Sequence, residues 1–267
     1  MQNRQVSTTT PELKPQQPSR RFYGWEMVIV LALSLGRSAI YAVLQLAERL
    51  TEAPLADQTA TVQTSQSRAE FFDFTYQVLN SLFALAPVAL VIYLVFLHGG
   101  NPFRRWGLDF RRPGRDWLIG AGLFALIGLG TMGVYFIGRS LGVTAQIVPA
   151  DVTEYWWTSP VLLLAALRHS LLEEVIMVAY LFDRARRIWP HASIWLIIIA
   201  SSVLRGLYHL YQGFGPAVGN FLMGIIFGWL YARYGRVMPL VIAHFLLDAV
   251  AFLAFPLVLG AFGLDRI

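Results

Sequence analysis

Ala84-Leu85-Ala86-Pro87-Val88-Ala89-Leu90-Val91-Ile92-Tyr93-Leu94-Val95-Phe96-Leu97 carries no charged and no amide side chain. Extended back to about Phe72, this run is long enough to cross a hydrocarbon core, which takes roughly 20 residues of helix. Stretches of the same kind recur at about Phe22 to Leu46, Trp117 to Leu141, Pro160 to Phe182, Ala192 to Leu210, Pro216 to Tyr231 and Val237 to Leu259. The expectation is an all-α, polytopic transmembrane helical bundle of about seven spans.

Composition agrees. Hydrophobic residues make up 56% of the 267 and charged residues 14%, with a mean hydropathy of +0.54. A soluble domain carries nearly twice that share of charge to wet its surface, so the solvent here is lipid. The chain has no cysteine, which excludes disulfides, thiol nucleophiles and thiolate metal sites.

A net charge of +5 resembles a nucleic-acid signal only until the arginines are located. Arg20 and Arg21 precede the first span, and Arg104, Arg105, Arg111, Arg112 and Arg115 follow the second. Arg184, Arg186 and Arg187 follow the fourth, while Arg233 and Arg236 follow the sixth. With seven crossings all four clusters fall on one side, which predicts a cytoplasmic N-terminus and a C-terminus outside. The charge is therefore topological, the partner is the bilayer, and no nucleic acid is implied. Lys14 is the only lysine, and this arginine bias points to a GC-rich bacterial coding sequence and hence a bacterial plasma membrane.

Residues 1–20 are polar and rich in Thr, Gln and Pro, which predicts a disordered cytoplasmic tail. Residues 21–267 form a single membrane domain. Glu48 to Glu70 and Val148 to Trp157 read as outside loops, the second lying along the interface with Trp156 and Trp157. Two small-residue pairs, Gly215/Gly219 and Gly224/Gly228, predict close helix packing.

Ionisable residues stand in the middle of these spans, where each costs about 2.5 to 3.5 kcal/mol to insert and so calls for a partner, a cavity or a function. They are Arg37 in the first span, Arg168, His169, Glu173 and Glu174 in the fourth, Arg205 and His209 in the fifth, and His244 and Asp248 in the seventh. Glu173 and Glu174 point about 100° apart on a helix and should have different partners. His244 and Asp248 are at i, i+4 and share a face, which suits a metal-ligand pair or a histidine held by a carboxylate. A structural network pairing three arginines with three acids is the competing reading, and Arg37 by itself suits a snorkelling role.

Leu172-Glu173-Glu174-Val175, Ser201-Ser202-Val203-Leu204-Arg205-Gly206-Leu207-Tyr208-His209 and Ala243-His244-Phe245-Leu246-Leu247-Asp248 resemble, in order, the three motifs of the CAAX-protease and bacteriocin-processing family. These are intramembrane endopeptidases, also described as type II CAAX prenyl endopeptidases and abortive-infection-like proteins. The resemblance places the catalytic half at 159–259. It implies a peptide or protein substrate at the membrane and catalytic roles for Glu173, Glu174, His209, His244 and Asp248. Glu173 would be the general base and His209 would position the water. His244 and Asp248 would bind the carbonyl side, either as oxyanion stabilisers or through a divalent metal such as zinc held by His209, His244 and Asp248. Metal dependence stays open at this level.

Two positions depart from the family pattern. Val178 stands where the first motif usually has Arg, and Arg205 where the second usually has Phe. An exchange follows, in which Arg205 pairs with Glu174. Arg205 and Arg37 are the candidate substrate-binding or charge-partner residues. Counting at about 1.5 Å per residue places His244 shallower than Glu173 and His209 by something on the order of 10 Å. The alternatives to a protease are a non-catalytic relative acting as a binding or regulatory membrane protein, and an ion-coupled transporter.

Overall fold

The computed structural model describes residues 18–261, with side chains to residue 254. Residues 1–17 of the expected tail and the C-terminus lie outside the described residues. Ser19 caps the first helix by accepting from the Phe22 N–H, so helix begins at Arg20.

The described chain is mostly helical. α1 (Arg20–Ala32) and α2 (Leu35–Glu52) meet at a 50° bend. α3 (Glu70–Ala84) and α4 (Ala86–Leu97) form one apolar stretch, with Pro87 in the first turn of α4. A short α5 (Pro102–Arg105) leads to α6 (Pro113–Ser140), then α7 (Thr158–Glu173), a π-helical segment Glu174–Tyr180 and α8 (Leu181–Ile188). α9 (Ile194–Tyr208), α10 (Phe214–Tyr234) and α11 (Met238–Ala261) complete the bundle.

Three helical stretches are long and apolar enough to cross a membrane: Glu70–Leu97, Pro113–Ser140 and Phe214–Tyr234. The bent α1 and α2 pair makes a fourth if it is one span. This is a multi-pass pattern, with fewer spans established than the seven expected. The difference has physical causes. α7, the π segment and α8 carry Arg168, Glu173, Glu174, Asp183 and Arg184, which dilute their hydropathy. α9 has 15 residues, about 22 Å of helix, short of the ~30 Å hydrocarbon thickness.

The bundle has two chemically distinct ends. At the arginine-rich end, Arg184 Nε donates to Glu26 Oε1 at 2.5 Å, Tyr180 OH donates to the same oxygen at 3.0 Å, and Arg105 pairs with Asp183. Arg236 clamps the start of α11 to Asp116 Oδ2 at 2.5 Å and Asp109 Oδ1 at 3.0 Å. Partial burial pulls the Asp109 carboxyl up, but the Arg111 N–H and the Arg236 guanidinium outweigh it and hold the group below its ordinary 3.8. The chain reaches this end at the starts of α1, α6 and α11 and at the ends of α4, α8 and α10, as the arginine clusters predict.

The other end departs from all-α. The two expected outside loops pair as β1 (Thr59–Thr64) and β2 (Gln146–Asp151), a parallel two-stranded ladder in register Thr59↔Gln146 through Thr64↔Asp151. Parallel partners require a long crossover, here supplied by α3 to α6. The expected interfacial loop Val148 to Trp157 therefore belongs, as far as Asp151, to a strand.

Glycine permits a close helix contact at Gly224. A Cβ there would lie 2.9 Å from Ser202 Oγ on α9. Gly228 packs beside Phe182 and Ile198, and Gly215 beside Thr144. Both glycine pairs are thus spent on packing within the chain, Gly224 and Gly228 holding α10 against α9, which carries Arg205, and Gly215 and Gly219 facing Thr144 and the α6 residues Thr131 and Val134.

Candidate active site

Glu173 ends α7 and Glu174 opens the π segment, whose i→i+5 turn is wider than an α turn and frequently occurs at functional sites. The adjacent carboxylates diverge as the helical offset predicts. Glu173 Oε2 accepts from Tyr208 OH at 2.7 Å and lies 3.9 Å from His209 Nε2. Glu174 Oε1 accepts from Arg205 Nη2 at 2.6 Å and contacts His244 Nδ1 at 2.7 Å. Arg205 also places Nη1 3.9 Å from Glu173 Oε2, with its guanidinium carbon 5.7 Å from the centre of the Phe227 ring.

Charge is layered by depth. Glu174 and Arg205 are at most 1% exposed, so neither charge could be held there without the other. Val178, where the related motif has arginine, is buried in the apolar core. One helix away, Arg205 supplies the positive charge. Glu173 and His244 are also buried, while His209, Asp248 and His169 are partly open, with side-chain exposures of 18 to 23%.

Asp248 lies 3.8 Å from His244 Nε2 across one helical turn, but its closer partner is His169 Nδ1 at 3.0 Å. His169 Nε2 meets the Arg168 guanidinium and lies 3.4 Å from Gln63 Nε2 of β1. A neutral His169 that donates from Nδ1 to Asp248 and accepts at Nε2 satisfies all three neighbours, a tautomer assigned from the bonding pattern.

Five expected residues thus converge: Glu173, Glu174, Arg205, His209 and His244, with Asp248 at the margin. Arg37 does not join them. It is exposed on α2 with its guanidinium 5.4 Å from the Tyr41 ring centre, and among the described residues it meets no carboxylate. The depth mismatch expected for His244 is absent, because the π segment does not keep the α-helical rise and α9 begins only at Ile194.

The donors that lie close enough together for one metal ion are Glu173, Glu174 and His244, with ligand atoms within 4.8 Å of one another. The sequence pointed to His209, His244 and Asp248. Asp248 is drawn off by His169, and Glu174 takes the place beside His244. The donor set suits a hard or borderline cation, and the buried Glu174 Oε2 has no hydrogen-bond partner, so the residues fit such an ion.

Two participants were assigned no role from the sequence, although His169 stood among its mid-span ionisable residues. Tyr208 stands beside His209 in the quoted motif, but an aromatic hydroxyl in an apolar run gives no periodic signal. His169 did have one, since it lies four residues before Glu173 on the same face of α7.

Residues 155–250 match the family model Rce1-like, described as type II CAAX prenyl endopeptidase Rce1-like. Over this segment, which runs from just before α7 well into α11 and holds every residue of the cluster, the chain is similar to that family. No curated protein and no solved structure matches the chain. The family match suggests a CAAX-type intramembrane protease.

Proposed function

We propose that the chain is a membrane endopeptidase in which Glu173 activates water for attack on a peptide bond. The observation that carries this reading is the unequal use of the two glutamates. Glu173 keeps Oε1 free of hydrogen bonds among the described residues while Tyr208 holds Oε2. Glu174 also has one oxygen, Oε2, without a hydrogen bond, but it is fully buried and its charge is committed to Arg205 and His244 on Oε1, whereas Glu173 is 8% exposed and Arg205 comes no nearer to it than 3.9 Å. A base needs one oxygen oriented and the other available.

His209 stands beside this carboxylate, its Nε2 3.9 Å from Glu173 Oε2 and both ring nitrogens without a hydrogen-bond partner, and would help to position the water. As the water oxygen attacks the carbonyl carbon, Glu173 takes its proton and later passes it to the leaving amine. His244, donating from Nδ1 to Glu174 and facing the Asp248 charge, presents its other N–H to the developing oxyanion. In a buried site such a donor is typically worth about 3 to 4 kcal/mol of barrier. Asp248 acts on the ring through its charge and holds His169. A divalent cation, when bound, would be held by Glu173, Glu174 and His244 and would supply Lewis-acid polarisation.

The same reading includes seven crossings, with the short α9 and the charged α7 to α8 segment spanning inside the bundle. It includes one membrane domain over residues 21–267 with its catalytic half at 159–259, a bacterial plasma membrane, the arginine-rich end in the cytoplasm and the C-terminus outside. Substrates are peptides or proteins at the membrane.

The test is cleavage of a quenched-fluorescent peptide library by the purified protein in detergent, beside Glu173→Gln. Activity should fall by roughly 10²- to 10⁴-fold with unchanged thermal unfolding and gel filtration. Equal cleavage by the variant removes Glu173 as base. A folded wild type that cuts nothing favours a non-catalytic relative of the family.

A further inference from the structure

Three helices carry two cluster residues one turn apart, and on each the residue nearer the ladder is the more open. α7 runs away from the ladder, so His169 is nearer to it than Glu173. α9 and α11 run towards it, so His209 is nearer than Arg205 and Asp248 nearer than His244. The side chains of His169, His209 and Asp248 are 18 to 23% exposed, against 1 to 10% for Arg205, His244 and Glu173. Each helix thus gives water access the same direction.

Towards the arginine-rich end the site is sealed. Beyond Glu174 every side chain from Val175 to Tyr180 is at most 2% exposed, and Ile198 on α9, Phe227 on α10 and Leu240 on α11 join the same core. Polar closure follows the apolar one, since Tyr180 and Arg184 both bond Glu26.

Towards the ladder the packing opens. A cavity of about 860 Å³ follows α2 from Ser38 to Glu52, about 21 Å of helix, and reaches Gln58, Thr59 and Thr61 at the start of β1. Its wall includes Tyr208, whose hydroxyl donates to Glu173 Oε2. Among the described residues no part of that wall comes from the arginine-rich end. A second cavity of about 740 Å³ shares Ser38, Tyr41 and Gln45 with the first but leads sideways, past Leu33, Phe83 and Leu90 between α2 and the α3 to α4 stretch.

We propose that the cluster is served from the ladder end, so that water and an extended polypeptide segment both reach Glu173 from the membrane face opposite the arginine clusters. Each cleavage consumes a water molecule, and a site walled by apolar core on one side draws it from the other. A cavity of this size suits a ligand of a few residues, not a folded domain. This deepens the endopeptidase reading and rests on it, including its cytoplasmic placing of the arginine-rich end. The substrate is then an unfolded segment of a secreted or membrane-bound polypeptide, cut outside the cytoplasm.

The chain has no cysteine, so single cysteines report access without background. Asp248→Cys probes the cluster and Gln45→Cys the cavity wall, while Glu154→Cys and Arg233→Cys mark the exposed ladder and arginine-rich ends. Each full-length variant is treated with a membrane-impermeant maleimide, which needs a thiolate it can reach through water, in right-side-out spheroplasts and in inverted vesicles. Asp248→Cys and Gln45→Cys should label wherever Glu154→Cys labels and stay unmodified where only Arg233→Cys does. Labelling together with Arg233→Cys, or only by a membrane-permeant maleimide, overturns the proposal in favour of access from the arginine-rich end or from the lipid. If Asp248→Cys does not fold, Gln45→Cys decides. Spheroplasts should label Glu154→Cys; if they label Arg233→Cys instead, the ladder end faces the cytoplasm and the substrate class is overturned. Adding a membrane-impermeant quenched-fluorescent peptide library, with Glu173→Gln as the blank, separates the two readings. Cleavage in spheroplasts but not in inverted vesicles upholds both, and cleavage in inverted vesicles alone overturns the ladder-end route while keeping the endopeptidase. Ladder-side labelling with cleavage in neither preparation upholds the direction of access and removes the endopeptidase, and the substrate with it.

Discussion

Arg205 and Glu174 form a fully buried ion pair at 2.6 Å, joining α9 to the first residue of the π segment. Breaking a buried pair by removing one partner typically costs about 3–5 kcal/mol, because the remaining charge has no water to turn to. Val178 offers none of the charge that the related motif would carry at that place. Charge reversal at either residue alone, Glu174→Arg or Arg205→Glu, should abolish a folded, monodisperse protein in detergent. The double reversal should recover part of the thermal stability. If both singles and the double fail alike, the two residues are not the coupled pair described.

Tyr208 orients the proposed base, so its hydroxyl should matter to rate more than to folding. Hydrogen bonds to charged groups are worth about 1.5–3 kcal/mol. Tyr208→Phe should lower kcat roughly ten- to a hundredfold with KM nearly unchanged and the unfolding temperature within a few degrees. A normal kcat would show that Glu173 needs no such anchor.

The Arg236 clamp gives a prediction in pH. Asp109 is held below its ordinary 3.8 in the folded protein. Its contribution is therefore complete above that value and is lost as pH falls through the lower, folded one. Thermal stability should decline modestly as pH falls below about 4, and Arg236→Gln should flatten the part of that dependence due to Asp109. An unchanged slope in the variant would assign acid sensitivity to other carboxylates.

Zinc binding is readable without activity. If Glu173, Glu174 and His244 hold a cation, saturating zinc at about 100 times its dissociation constant raises stability by about 2.7 kcal/mol. The wild type should melt higher with zinc, and His244→Ala should not respond. His209→Ala and Asp248→Asn, which remove residues outside the close trio, should keep most of the shift. A shift lost with Asp248 instead would restore the ligand set suggested by the sequence.

Much of the site was legible because the membrane makes charge conspicuous. An ionisable residue inside an apolar run stands out one residue at a time, and Glu173, Glu174, Arg205, His209 and His244 were all visible in that way. Pairwise partnership was less so. Asp248 lies one turn from His244 and was assigned to it, but His169 takes its oxygen from another helix. The ladder was hidden for a different reason: Thr59–Thr64 and Gln146–Asp151 are separated by three long helical segments, and neither polar, loop-like stretch names its partner. The π segment has no sequence period to betray it, and with it went the depth of His244.

The bend between α1 and α2 bears on how this molecule lives in bilayers of different thickness. α1 is fastened through Glu26 to Arg184 and Tyr180, and α2 through Arg49 to Gln58 and Thr59. A straight rod joined at both ends would carry any mismatch with the lipid directly from one fastening to the other. A rod with a 50° elbow takes up the mismatch as a change of angle, as membrane helices do by tilting or kinking. The elbow therefore works as a suspension, letting the arginine-rich half follow the bilayer while the half beside the ladder keeps its distance from Glu173.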